Sequence, residues 1–130
     1  MQEKILKLKS IKILFVEDEE DLCNIISDTL SKLQANFKTA QNGQLALDKF
    51  KEEGDFDLIV TDINMPVMNG LELIKNIRDL SSDIPVIIMS AHTEPEYIKS
   101  AEELGVENYL LKPFDFIKFI NLVSSLEFNK

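Results

Sequence analysis

The segment FDLIVTDINMPVMNG, residues 56–70, runs from an apolar strand pattern directly into an acid and then into a turn. The apolar and β-branched residues of Asp57–Thr61 predict a buried strand. Asp62 follows at its carboxyl end, and the proline, asparagine and glycine after it are typical of a turn. Taken alone, such an aspartate is a turn former or a helix cap. Whether Asp62 has a chemical role depends on which residues end the other strands.

The composition limits the possible classes of protein. A chain of 130 residues, 45% hydrophobic and 28% charged, is most simply one globular domain. The net charge of -9 argues against a nucleic-acid partner and is compatible with a carboxylate site for a divalent cation. The single cysteine, Cys23, has the helical spacing of a core residue and excludes an intramolecular disulfide. No signal peptide and no bilayer-spanning apolar run is visible, so we expect a cytoplasmic protein without a membrane partner.

Strand and helix patterns alternate along the chain. Five helical patterns, each with apolar residues at helical spacing, follow five short strands. The predicted strands are Ile11–Val16, Asn36–Ala40, Asp57–Thr61, Pro85–Ser90 and Asn108–Leu111. This alternation predicts an α/β fold, a doubly wound five-stranded parallel sheet with helices on both faces. Ligands of such folds bind at the carboxyl ends of the strands.

Charged and hydroxyl side chains end, or directly follow, four of the predicted strands. They are Glu17, Asp18, Asp62, Ser90 and Lys112. Crowded carboxylates repel one another, and Mg²⁺ would relieve that repulsion. Asp62 could then attack a phosphoryl group, with Lys112 offsetting its charge and Ser90 donating a hydrogen bond. Each residue also has a plain explanation, as a helix-end charge, a cap or a solvated lysine. Their convergence at one sheet edge favours the chemical interpretation.

The stretches LFVEDEE, DLIVTDINMPVMNG, VIIMSAH and LGVENYLLKPFD resemble those of receiver (response-regulator) domains of two-component signal transduction. The chain is similar to the single-domain chemotaxis-type regulators, and the resemblance covers residues 11–126. Residues 1–10 are then an N-terminal extension and residues 127–130 a C-terminal tail. The resemblance implies a (βα)5 flavodoxin-like fold with strand order 2-1-3-4-5.

The resemblance also implies site roles. Asp62 is the expected phosphoacceptor, assisted by Lys112 and Ser90. The expected Mg²⁺ site comprises Asp18 and Asp62 as direct ligands, the main-chain carbonyl of Asn64, and Glu17 acting mainly through water. Ser90 and Tyr109 are the expected switch residues, and Asn64 and His92 occupy positions that modulate dephosphorylation. The Lys112–Pro113 bond is expected to be cis. Glu17 stands where the family more commonly has aspartate, and Gly70 is expected to let the chain turn into the next helix.

The expected function is that of a signalling switch. The resemblance implies that a histidine kinase or phosphotransfer protein donates the phosphoryl group, with specificity mainly on the helix of residues 22–33. The chain is expected to assist its own phosphorylation and dephosphorylation and not otherwise to be an enzyme. Phosphorylation changes the face formed by the fourth predicted helix, the fifth strand and the last helix, which binds a downstream protein, an effector domain or a second copy. Whether the domain stands alone is left open.

The last helical pattern, residues 114–128, is unusually apolar. Phe116, Phe119, Ile120, Val123 and Leu126 predict its core face. Ile117, Leu122, Phe114 and Phe128 fall outside that face. They either form a partner or dimer surface or are covered by flanking segments.

Three other functions are compatible with parts of the pattern. A flavodoxin-like electron carrier would need a phosphate-binding loop after the first strand, where this chain has EDEEDL. A haloacid-dehalogenase-like phosphatase would need a second acid two residues after Asp62, where this chain has Asn64. A pseudo-receiver that binds proteins without phosphorylation is disfavoured, because Asp18, Asp62, Ser90 and Lys112 are all present.

Overall fold

The computed structural model describes residues 2–80, 82–90, 95–112 and 115–128. Within these ranges five strands alternate with helices, as the sequence predicts. The strands are β1 Lys12–Val16, β2 Asn36–Ala40, β3 Leu58–Asp62, β4 Val86–Ser90 and β5 Asn108–Leu111. The helices are α1 Gln2–Lys9, α2 Glu20–Lys32, α3 Gly43–Glu53, α4 Gly70–Asp79, α5 Pro95–Glu103 and α6 Phe116–Ser125.

All strand pairs are parallel, and the sheet order is β2-β1-β3-β4-β5. This confirms the predicted fold class and strand order. The register places Val16 beside Thr61, Asp62 beside Met89 and Ser90 beside Leu111. The carboxyl ends of the strands therefore meet at one edge of the sheet, where the polar residues follow them.

The two faces of the sheet are covered by different helices. Along β1, Leu14 and Val16 belong to one core cluster, which also contains residues of α3, α4 and α5. Ile13 and Phe15 point to the other cluster, with residues of α1, α2 and α6. Burial on both faces explains why β1, β3 and β4 read as continuous apolar runs in the sequence. Cys23 is buried in α2, as its spacing predicts.

Helix α1 is an element that the sequence did not predict. Leu8 at its end is fully buried and belongs to the same cluster as Phe119 and Val123 of α6. The Lys7 ammonium donates to the carbonyl of Ser124 at 2.7 Å and also to that of Leu126. Carbonyls at a helix C-terminus have no partner within the helix, so Lys7 supplies one. Residues 2–9 are thus packed against the rest of the fold.

The apolar surplus of α6 is largely covered. Phe119, Ile120 and Val123 are buried, and Phe116 and Leu126 pack partly buried against them, so the predicted core face is confirmed. Leu122 and Phe128 also pack against that cluster, whereas Ile117 is 59% exposed. Phe114 lies outside the described residues. Of the three described residues outside the core face, Leu122 and Phe128 are thus covered by packing, and Ile117 remains exposed. In the part of the chain described, no helix is long and apolar enough to cross a membrane.

Candidate functional site

Three carboxylates converge at the carboxyl edge of the sheet. Glu17 and Asp18 directly follow β1, and Asp62 is the last residue of β3. One oxygen from each lies within 4.8 Å of the others. Carboxylate oxygens are the ligands that hard divalent cations prefer, and Mg²⁺ needs only one or two of them. The donor set therefore fits a metal of this kind.

Lys112 lies between two of these acids. It follows β5, and its main-chain N–H donates to the carbonyl of Ser90 at 2.8 Å, which continues the β4–β5 pairing. The ammonium donates to Asp62 Oδ2 at 2.9 Å and to Glu17 Oε1. The Lys112 and Asp62 side chains are 17% and 15% exposed, and that of Glu17 is 0% exposed. The Coulomb attraction within these ion pairs is therefore screened less by water than that of surface pairs.

Burial and charge shift the pKa values of this pair. Burial raises the pKa of the Glu17 carboxyl above 4.5, although hydrogen bonds from Lys112 and from the Glu19 amide oppose the shift. Burial alone would lower the pKa of Lys112. The hydrogen bonds to Glu17 and Asp62 outweigh it, so the pKa of Lys112 is raised above 10.5. Lys112 therefore carries its positive charge at neutral pH, next to the Asp62 carboxylate.

The loop after Asp62 is fixed by backbone contacts. The N–H of Ile63 donates to Asp62 Oδ1 at 2.7 Å, and the N–H of Gly70 donates to the Ile63 carbonyl at 2.8 Å. A Cβ on Gly70 would lie 2.2 Å from the Asp62 carbonyl oxygen. Glycine is needed at position 70 because the backbone of Asp62 approaches so closely. Asn64 lies exposed in the same loop.

The predicted switch residues occupy the neighbouring strands. Ser90 is the last residue of β4 and shares the sheet edge with Asp62. Tyr109 is half-buried in β5, and its hydroxyl contacts the carbonyls of Ile98 and Val106, both at 3.3 Å. Burial raises the pKa of Tyr109, and the nearby Glu102 adds to the shift. His92 and the Lys112–Pro113 bond lie outside the described residues, so these expectations stay predictions.

The contact between Glu17 and Lys112 was missed by the sequence reasoning. The two residues are 95 positions apart, and Lys112 was assigned only to the phosphoryl group. The order of the strands alone brings both to one edge, but it does not specify which acid the ammonium contacts. A glutamate where the resembling family more often has aspartate was the available signal.

The fold and this edge define a class of protein: a doubly wound α/β domain with an acidic crevice, a lysine and a hydroxyl at the carboxyl ends of its strands. A sequence profile described as "Response regulator receiver domain" matches residues 13–124. The chain belongs to this family.

Similar proteins support that membership. The chain is 40% identical over 109 residues to the chemotaxis protein CheY-3 of Vibrio cholerae, covering 82% of this chain and 83% of that protein. It is 35% identical over 104 residues to the two-component response regulator ARR10 of Arabidopsis thaliana, covering 79% of this chain. It spans only 19% of the length of that relative.

One similar solved structure is that of a CheX–CheY–BeF3–Mg complex from Borrelia burgdorferi. The TM-score is 0.80 and the identity 26%, with 88% of this chain and 87% of that chain covered. The chain is a receiver domain of two-component signal transduction, a family that works by phosphorylation-based switching and interacts with kinases and downstream targets.

Proposed function

We propose that Asp62 accepts a phosphoryl group from a histidine kinase or phosphotransfer protein in a Mg²⁺-dependent reaction. The observation that carries this proposal is the position of Asp62. Its carboxylate is partly exposed at the end of β3, close to two other carboxylates and hydrogen-bonded to the Lys112 ammonium. A nucleophile, a cluster of carboxylates that could hold a metal ion and a positive charge thus lie together at one edge of the sheet.

The transfer replaces a nitrogen–phosphorus bond of the donor by an oxygen–phosphorus bond on Asp62. An oxygen of Asp62 forms a bond to phosphorus, while the bond from phosphorus to the donor histidine nitrogen breaks. The electron pair of that bond stays on the nitrogen, and the donor leaves as neutral imidazole because its other ring nitrogen carries a proton. The product is an acyl phosphate on Asp62. The Lys112 ammonium offsets the charge of the arriving phosphoryl oxygens. The chain thus assists its own modification without acting as an enzyme on a separate substrate.

The donor set fits Mg²⁺. Asp18 and Asp62 would bind it directly, with the main-chain carbonyl of Asn64, and Glu17 would act mainly through water. Bound Mg²⁺ would supply neutralisation of the negative charge on the phosphoryl oxygens. Asn64 and His92 would influence how fast the phosphoryl group is lost.

The response to phosphorylation would involve Ser90 and Tyr109. The Ser90 hydroxyl would move toward the phosphoryl group, and the Tyr109 ring would turn inward behind it. The two hydroxyl contacts of Tyr109 are both long, at 3.3 Å, so little hydrogen-bond energy opposes such a turn. Both residues adjoin the face formed by α5, β5 and α6. That face would then bind a downstream protein, an effector domain or a second copy of the chain.

The test is incubation with acetyl phosphate and Mg²⁺, followed by intact-mass measurement. Acetyl phosphate supplies the phosphoryl group and leaves as acetate. We expect a gain of one phosphoryl mass that disappears with EDTA and in Asp62→Asn. Asp55→Asn, which removes a carboxylate whose side chain is 69% exposed and outside the site, should be modified like the wild type. An unmodified wild type, or an adduct that persists in Asp62→Asn, would contradict the proposal.

A further inference from the structure

Glu17 and Asp18 are adjacent in sequence but have different surroundings. The Glu17 side chain is fully buried, whereas Asp18 is exposed. Glu17 Oε1 accepts from the Lys112 ammonium, and Oε2 accepts from the main-chain N–H of Glu19 at 3.2 Å. Both oxygens of the buried carboxylate therefore already have protein donors.

The Lys112 ammonium is held by two carboxylates on neighbouring strands. One is Asp62 on β3, at 2.9 Å, and the other is Glu17 after β1. A lysine side chain has four flexible carbon–carbon torsions and costs conformational entropy to fix in one position. A second, buried anchor restricts the ammonium to the Asp62 side of the crevice.

We propose that Glu17 is a positioning residue for Lys112, an inference that rests on the proposed function of Asp62. The argument depends on side-chain length. Glutamate is one methylene longer than aspartate, and that methylene carries the carboxylate to the Lys112 ammonium. The two adjacent acids then have different roles: Asp18 lies exposed where a cation would bind, and Glu17 holds the Lys112 ammonium in position.

The direct test observes the Lys112 ammonium by ¹⁵N NMR in metal-free protein, with the signal assigned by its loss in Lys112→Arg. A lysine ammonium held by two carboxylates exchanges its protons slowly and gives a visible signal. We expect the signal in the wild type and in Asp18→Asn, and we expect it to broaden or disappear in Glu17→Asp. If Glu17→Asp does not fold, Glu17→Gln keeps the length, removes the charge, and should also weaken the signal.

The second readout is the rate of modification by acetyl phosphate as a function of Mg²⁺ concentration. In Glu17→Asp we expect the rate at saturating Mg²⁺ to fall about 10-fold or more, since misplacing a reacting group by an ångström can cost on the order of 100-fold. The half-saturating Mg²⁺ concentration should change by less than about 3-fold, because aspartate keeps a carboxylate that can act on the metal through water. Asp18→Asn removes a direct ligand and should raise that concentration about 10-fold or more, since even the loss of an outer-shell partner costs about 10–100-fold in metal affinity.

The outcomes separate this inference from the proposed function. A wild type that takes no phosphoryl group overturns the function, whereas the metal-free NMR signal still decides whether Glu17 holds Lys112. A modified wild type together with an unchanged Lys112 signal in Glu17→Asp overturns the positioning role. The same conclusion follows if Glu17→Asp weakens Mg²⁺ binding as strongly as Asp18→Asn and leaves the saturated rate unchanged.

Discussion

Val67 has a positive φ in the loop that follows Asp62, at the centre of a tight turn in which the Met68 N–H donates to the Pro66 carbonyl at 2.7 Å. Its φ is 68°, and its side chain is 79% exposed. A β-branched residue in this conformation is strained, and its exposed side chain gains little from burial in return. Hydrogen bonds on either side hold the loop in place: Gly43 donates to the Met68 carbonyl at 2.9 Å, and Gly70 donates to the Ile63 carbonyl at 2.8 Å. The surrounding backbone therefore imposes the strain.

Replacing Val67 by asparagine should stabilise the protein. A β-branched L-residue held at positive φ costs roughly 1–3 kcal/mol, and asparagine adopts positive φ more readily than valine. We expect Val67→Asn to raise the free energy of unfolding, measured with urea, by about 1 kcal/mol. Val67→Ala removes the side chain but keeps a Cβ in the strained conformation, so it should gain less. Equal effects of the two substitutions would show that the backbone conformation is not the source of the strain.

The buried Glu17 carboxyl should make stability depend on pH. Its pKa is raised, and burial is the largest cause. Between pH 4.5 and that raised pKa, the folded protein therefore keeps a proton on Glu17 that the unfolded chain releases. The contribution of Glu17 to stability therefore falls as pH rises through this window. Glu17→Gln removes the titration, so the stability of the variant relative to wild type should increase across the window and then level off.

Urea unfolding in EDTA at several pH values measures that difference. The variant Glu127→Gln removes one negative charge from an exposed side chain and serves as the control. A Glu17→Gln difference that stays constant from below pH 4.5 to neutral pH would contradict the prediction.

At the scale of elements, the sequence predicts what depends on local pattern. Strand β3 was predicted at Asp57–Thr61 and lies at Leu58–Asp62. It could be predicted to within one residue because a parallel strand buried on both faces has a continuous apolar sequence. Helix α1 left no comparable pattern. Its eight residues have Leu8 as their only buried side chain, and Leu8 packs against α6, more than 100 positions away. Tertiary contact, rather than local preference, accounts for that helix.

Leu8 and Leu6 test whether α1 belongs to the folded core. Leu8 is 0% exposed and Leu6, on the same helix, is 63% exposed. We expect Leu8→Ala to lower the free energy of unfolding by about 3 kcal/mol, the usual cost of truncating a buried leucine. Leu6→Ala should change it by less than about 0.5 kcal/mol. Similar small effects of both substitutions in urea unfolding would mean that α1 is not packed in solution.

At the scale of the whole molecule, the site depends on the order of the strands. The pairing of β1 with β3, β3 with β4, and β4 with β5 brings Asp18, Asp62 and Lys112 to one edge. The alternation of strand and helix predicts this convergence. It cannot predict how one ammonium is shared between two carboxylates, since that depends on side-chain length and burial at contacts between distant segments. The location of the acidic site can therefore be predicted from the sequence, whereas the hydrogen bonds within it cannot.

The net charge of -9 and the three clustered carboxylates both weaken the folded state in the absence of cations. A cation that binds only the folded site adds RT ln(1 + [L]/Kd) to stability, about 2.7 kcal/mol at 100 times its Kd. We therefore expect MgCl2 to raise the urea midpoint of the wild type and of Asp55→Asn, and to raise that of Asp18→Asn much less. NaCl at equal ionic strength screens all exposed charges alike and should give a smaller rise. If NaCl matched MgCl2, or if Asp18→Asn responded like the wild type, the stabilisation would come from general screening, and the three carboxylates would not form a metal site.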